Sequence, residues 1–151
     1  DYIERLIQEC ARALSRILAL RRAGDVDPAL RAVDEAATDL LGPLRPIVER
    51  LEATTAVAMA GPNERGRVRM YAALLGEEGL IHRAAGDTAR AYLSCRRALE
   101  LYAAVSLAGA RLDDADRGRI AVLGRTVDVE ELDARYRDEL SRILGRGRAA
   151  G

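Results

Sequence analysis

The chain has 151 residues, with 24 basic and 24 acidic residues cancelling to a formal net charge of zero. Without a field of one sign there is no electrostatic pull toward nucleic acid or an anionic membrane. Every basic residue is Arg, which excludes P-loop and Schiff-base lysine chemistry, and the absence of Phe and Trp leaves little material for base stacking.

Apolar periodicity predicts helices almost throughout. From Tyr2 to Arg22, Ile3, Ile7, Cys10, Leu14 and Ile17 recur four and three apart while Glu4, Arg5 and Glu9 lie off that stripe, the pattern of an amphipathic helix. Ala23-Gly24-Asp25 interrupts it. Asp27 as a cap and Pro28 at the first helical position open a second helix through Leu30, Val33, Ala37 and Leu40, closing an N-terminal hairpin over 2–41. Gly42-Pro43 stops it, and a third helix is expected over 44–60 along Ile47, Val48, Leu51, Thr55 and Ala58.

Residues 61–66, Gly-Pro-Asn-Glu-Arg-Gly, read as a loop. A second hairpin spans 67–107, its first helix marked by Tyr71, Leu74, Leu75 and Ile81 and its second, from Thr88 to Leu107, by Ala91, Cys95, Ala98, Leu99 and Tyr102. Asp113 or Asp114 then caps a short helix through Ile120 and Leu123, and Asp128 one through Leu132, Tyr136, Leu140 and Ile143, so that C-terminal helices fill 114–144. Residues 146–151 are expected to be a flexible tail on one helical domain of 1–145. The sequence thus predicts an all-α bundle of about six or seven antiparallel helices.

Within the second hairpin, Gly79, His82, Gly86-Asp87, Ala91 and Ala98 stand where a tetratricopeptide repeat has its mid-helix glycine, its aromatic, its turn and its two alanines. Residues 70–105 therefore resemble one repeat unit. Gly79 and Ala91 remove bulk where two backbones approach, and Gly86 can take the left-handed turn geometry. A shift of 62 positions lays Ala23-Gly24-Asp25, Ala29 and Ala36 over Ala85-Gly86-Asp87, Ala91 and Ala98, a degenerate second copy in which Ile17 replaces the glycine. The whole chain is also similar to a family of small bacterial helical proteins without assigned function. The repeat resemblance implies helical hairpins that hold a protein or peptide partner.

Catalytic and metal chemistry find little support. His82 is the only histidine, and with Glu78 and Cys95 it could approach a metal, but it occupies a packing position and lacks a second histidine. Asp113, Asp114 and Asp116 do not continue as a calcium loop, since Gly118 and Arg119 fall where a ligand and the invariant glycine belong, so helix capping accounts for them. Cys10 and Cys95 lie on apolar stripes as buried thiols, and no serine sits in a Gly-x-Ser-x-Gly elbow. The expectation is a non-enzymatic interaction or scaffold module without a cofactor, catalytic residue or metal, with Leu80, Arg83, Arg90 and Arg97 as candidate partner-binding residues. Homodimerisation through the Ile3, Ile7, Leu14 and Ile17 stripe is an alternative, and a small-molecule or metal site near Glu78 is another. Unpaired cysteines and the lack of a stretch of about 18 apolar residues favour a cytoplasmic setting.

Overall fold

The computed structural model describes the backbone of residues 1–149 and the side chains of residues 1–145. Its elements are α1 (Tyr2–Arg22), α2 (Val26–Leu41), α3 (Arg45–Arg50), α4 (Ala53–Ala60), α5 (Arg65–Ala84), α6 (Thr88–Leu107), α7 (Asp114–Leu123) and α8 (Ala134–Ala149). Single 3₁₀ turns occupy Gly42–Leu44, Pro62–Glu64 and Val129–Glu131, and no strand occurs among the described residues. The chain is an all-α bundle.

Two tight turns are built alike. Gly24 and Gly86 have φ of 78° and 82°, where an L side chain would be strained. The Gly24 and Asp25 N–H groups donate to the carbonyls of Arg21 and Leu20 at 3.1 and 3.0 Å, and those of Gly86 and Asp87 to Arg83 and His82 at 3.1 and 2.9 Å. This double closure satisfies carbonyls that a helix end leaves orphaned. The end of α6 repeats it, with Gly109 at φ 102° and Ala110 N–H donating to Val105 at 2.9 Å. That third copy has Ala110 where the others have Asp, and the chain runs on for several residues before α7.

The helices pack as hairpins α1/α2 and α5/α6, with α7 and α8 against α6 and against each other. α5 is the inner element, touching α1, α2, α4, α6 and α7. Its apolar residues accordingly run around most of its circumference, and Val68, Tyr71, Ala72, Ala73, Leu74 and Ile81 are all buried. A continuous buried cluster draws on every helix, from Ile17 and Leu41 through Val48, Leu99 and Tyr102 to Leu123 and Tyr136.

Five expected boundaries move, and one of them is the loop expected over 61–66, where a 3₁₀ turn fills Pro62–Glu64 and α5 already begins at Arg65. The helix expected over 44–60 is two, α3 and α4, because Leu51 is extended at ψ 155° and Glu52 turns its side chain to cap α4 through the Thr55 N–H. α2 begins at Val26 with Asp25, not Asp27, at its N-cap position, and Pro28 lies in its first turn, where no helical donor is lost. Asp128 caps only the 3₁₀ turn, through Glu130 N–H at 3.1 Å, while Asp133 receives Arg135 N–H at 2.9 Å at the start of α8. The helical backbone of α8 runs on to Ala149, past the expected start of a tail over 146–151, and residues 150–151 of that tail lie outside the described residues.

The α5/α6 contact is set by Gly79. A Cβ placed there would overlap Cys95 Sγ and lie 3.1 Å from the Cys95 nitrogen and 3.2 Å from the Ala91 carbonyl oxygen. Two of those three obstacles are backbone, so a side chain at 79 would have to push the helices apart. At Gly118, inside α7, a Cβ would meet no atom within 4 Å. The two glycines should therefore respond to alanine with opposite signs. We expect Gly79→Ala to lower stability in urea denaturation by about 1–3 kcal/mol, the overpacking cost exceeding the helix-propensity gain. Gly118→Ala should raise it by about 0.5–1 kcal/mol through the unopposed propensity gain.

Candidate functional site

An open groove follows α5 between α1 and α7. It consists of two adjoining cavities of about 320 and 350 Å³ that share Glu77, Ala115 and Arg119. α5 supplies the floor with Met70, Gly76, Glu77 and Leu80. α1 supplies one wall with Ile7, Ala11, Leu14, Ser15 and Leu18. The other wall is the face of α7 formed by Ala115, Gly118, Arg119 and Val122, spaced at i, i+3, i+4 and i+7 so that all four lie to one side. Arg69 to Leu80 spans eleven helical rises of α5, so the groove is roughly 17 Å long.

Ion pairs fix its walls. The Arg21 guanidinium donates to Glu77 at 2.8 Å, tying the end of α1 to α5. Arg69 donates to Asp116 at 2.8 Å, tying α5 to the start of α7. Asp116 is only 2% exposed, and its second task explains why it tolerates burial. Asp113 and Asp116 form a reciprocal capping box, each side chain accepting the other's backbone N–H, at 2.8 and 3.0 Å. Asp116 is thus satisfied by a backbone donor and a guanidinium together, as a buried carboxylate requires. The backbone hydrogen bond from Asp116 also holds the Asp113 carboxyl below its ordinary range, with Arg69 adding to the effect.

Arg119 differs from these arginines. Its contact with Asp116 stretches to 4.0 Å, and its side chain is 35% exposed at the junction of the two cavities. The Tyr102 hydroxyl lies behind it.

The four residues expected to bind a partner are not gathered on one surface. Leu80 lines the groove. Arg83 reaches Thr126 Oγ1 at 3.1 Å, just past the end of α7. Arg90 is exposed at the start of α6 and faces Asp87 at 3.6 Å. Arg97 turns away from the groove to the α3/α4 junction, where one nitrogen donates to the carbonyls of Val48 and Leu51, both at 2.6 Å. It bridges the break between those two helices, and burial lowers its pKa from the usual arginine value.

The other candidate chemistries are placed as follows. Glu78 accepts a hydrogen bond from Ser94 at 3.0 Å, and His82 is half-buried nearby on the same helix. Among the described residues, no three His, Cys, Asp or Glu side chains converge as a metal site. Burial pushes the Cys10 and Cys95 thiols up to about 12 and about 11, which leaves both protonated at neutral pH. No helix among the described residues is long and apolar enough to cross a membrane.

No family model, no curated protein and no solved structure matches the chain.

Arg119 and Val122, absent from the sequence-based candidates, are detectable only as part of the i, i+3, i+4, i+7 face of α7. That face carries an alanine, a glycine and an arginine, so its apolar signal is weak beside the Ile120 and Leu123 stripe that enters the core.

Two substitutions check the polar anchoring. Arg97→Met should cost about 2 kcal/mol by leaving two carbonyls without their charged donor, and hydrogen exchange should quicken chiefly over 45–60. Because the Asp113 pKa is depressed on folding, its contribution is complete above its unfolded value near 3.8 and fades as pH falls through the folded-state value. Asp113→Asn, which keeps an oxygen at the cap, should therefore flatten the loss of stability below about pH 4 in acid titrations followed by circular dichroism.

Proposed function

We propose that this protein is a non-enzymatic interaction module that holds a segment of a protein partner in the α1/α5/α7 groove. The observation that carries the reading is an open, elongated groove whose walls come from three separate helices and whose apolar residues are interrupted by arginine. Such a surface suits the apolar side chains of a docked peptide or helix and leaves a guanidinium to fix its register. The tetratricopeptide resemblance supports the same reading. In that arrangement α1/α2 and α5/α6 are successive repeat-like hairpins, with α7/α8 as a third pair, and the first helix of each lines the groove. The two alike turns 62 positions apart and the burial of Ala29, Ala36, Ala91 and Ala98 are consistent with it. Unpaired, buried cysteines fit work in a reducing compartment such as the cytoplasm.

The proposal that α1 forms a dimer seam draws less support. Leu14 and Ile17 are buried within the chain, and Cys10 lies under α2, so that stripe already has an intramolecular partner.

Leu80→Arg and Val122→Arg each place a charge on the apolar part of the groove, where Leu80 is half-buried and Val122 exposed. In affinity capture from the source cell, both variants should lose the partners that the parent chain recovers while keeping its thermal transition. Recovery of an unchanged set of partners by both folded variants would remove this groove from consideration.

A further inference from the structure

Arg119 suggests what the groove selects. Each of the other two arginines lining it is matched by a carboxylate at 2.8 Å, Arg21 by Glu77 and Arg69 by Asp116. Arg119 reaches Asp116 only at 4.0 Å, and that group is already held by Arg69 and a backbone N–H, while Asp113, which also feels the Arg119 charge, lies 3.5 Å from Arg69. On its inner side Arg119 lies near the Tyr102 hydroxyl and the Cys10 thiol, both neutral groups at neutral pH. A forked guanidinium carries five donors and binds a carboxylate best through two of them at once. Most of that capacity is unused.

Its position makes the unused capacity selective. Arg119 belongs to both cavities, whereas the apolar contacts divide to either side of it. Leu80 and Val122 line one cavity and Ile7, Ala11 and Leu18 the other, above the buried Leu14, Met70 and Leu123. A docked segment of roughly eleven helical residues would cover the full groove and meet the guanidinium near its middle. An acidic side chain there would form a charge-assisted pair partly screened from water by the apolar residues before and after it, where such a pair is stronger than on an open surface. A basic side chain would face Arg119 with like charge.

We infer that the groove recognises a helical segment of a protein partner in which an internal Asp or Glu, flanked on the same face by apolar residues, pairs with Arg119. The inference rests on the interaction reading above and adds the chemistry of the partner. The acid is an internal side chain, since apolar contacts continue past Arg119 in both directions.

A phage-displayed library of helical peptides randomised along one face, selected on the full chain, tests this directly. Enriched peptides should carry Asp or Glu between apolar positions and lose binding to Leu80→Arg. In fluorescence anisotropy, replacing that acid by Gln or Asn should weaken binding about tenfold, a difference of about 1.4 kcal/mol. Arg119→Gln should bring the acidic and amide peptides to the same affinity, and Arg119→Glu should favour a Lys replacement. The peptide series on the parent chain gives a readout even if an Arg119 variant is poorly folded. Enriched peptides that need Leu80 but show no preference for an acid would overturn the assignment to Arg119 and leave the groove reading standing. Failure to enrich any peptide would overturn the assignment too, and the capture experiment with Leu80→Arg and Val122→Arg then decides the groove reading separately.

Discussion

The close approach of α5 and α6 at Gly79 is the constraint on which the rest of the arrangement depends. α5 is in contact with five other helices, and it can be so central because one of its faces gives up a side chain altogether. With the Ala91 carbonyl and Cys95 backbone lying against Gly79, α6 takes little room, and the remaining circumference of α5 is left for α1 and α2 on one side and α7 on another. Interior packing at crystal-like density makes that distance hard to change. A wider α5/α6 spacing would carry α7 and α8, both packed on α6, away from α1 and would alter the width of the groove.

Arginine supplies the polar half of the same architecture. The uniform choice of Arg over Lys has a physical use here, because several guanidiniums join elements that apolar packing alone would leave loose. Arg97 serves two carbonyls at the α3/α4 break, and Arg45 reaches Asp34, Thr38 and Glu49 from three directions. At Arg45 a planar fork with three donor nitrogens satisfies such spread acceptors, which the single compact charge of an ammonium would not, whereas at Arg97 one nitrogen serves both carbonyls. Individually, the more exposed pairs contribute little to stability. Their value lies in fixing where helix ends sit, most clearly at Asp116, whose burial would be costly without both Arg69 and the capping box.

How much of this is legible in the sequence follows from which signals are local. The α1 stripe, the two Gly-Asp turns and the small residues Gly79 and Ala91 each show within a few residues, and each corresponds to an observed feature. The break at Leu51-Glu52 is not legible, because it has neither glycine nor proline and is sustained by Arg97, far away in the chain. Asp128 has the right residue type for a helix cap, but Asp133 occupies that role nearer the helix. The groove is less legible still. Leu80 can be named from its hairpin, yet its neighbours on α1 and α7 are brought together only by tertiary packing, and Arg83, Arg90 and Arg97 have separate local partners.

The groove remains open because the elements that border it are restrained at their ends. α7 has only ten residues, and Arg69 with Asp116 holds its first turn to α5 while Leu123 closes over Gly76 near its last. α1 is held through Arg21 to Glu77 at its own last turn and through Leu14 and Ile17 along the core. With both walls fixed to the same floor helix, neither can slide across to cover the apolar floor or bring a carboxylate to Arg119. Closing the gap would require breaking a buried ion pair, which leaves an uncompensated charge and so opposes the gain from burying the small apolar floor. The same pairs that stabilise the helix ends thus preserve both an accessible apolar surface and an underused guanidinium in its centre. The proposed preference for an acidic segment relies on that combination.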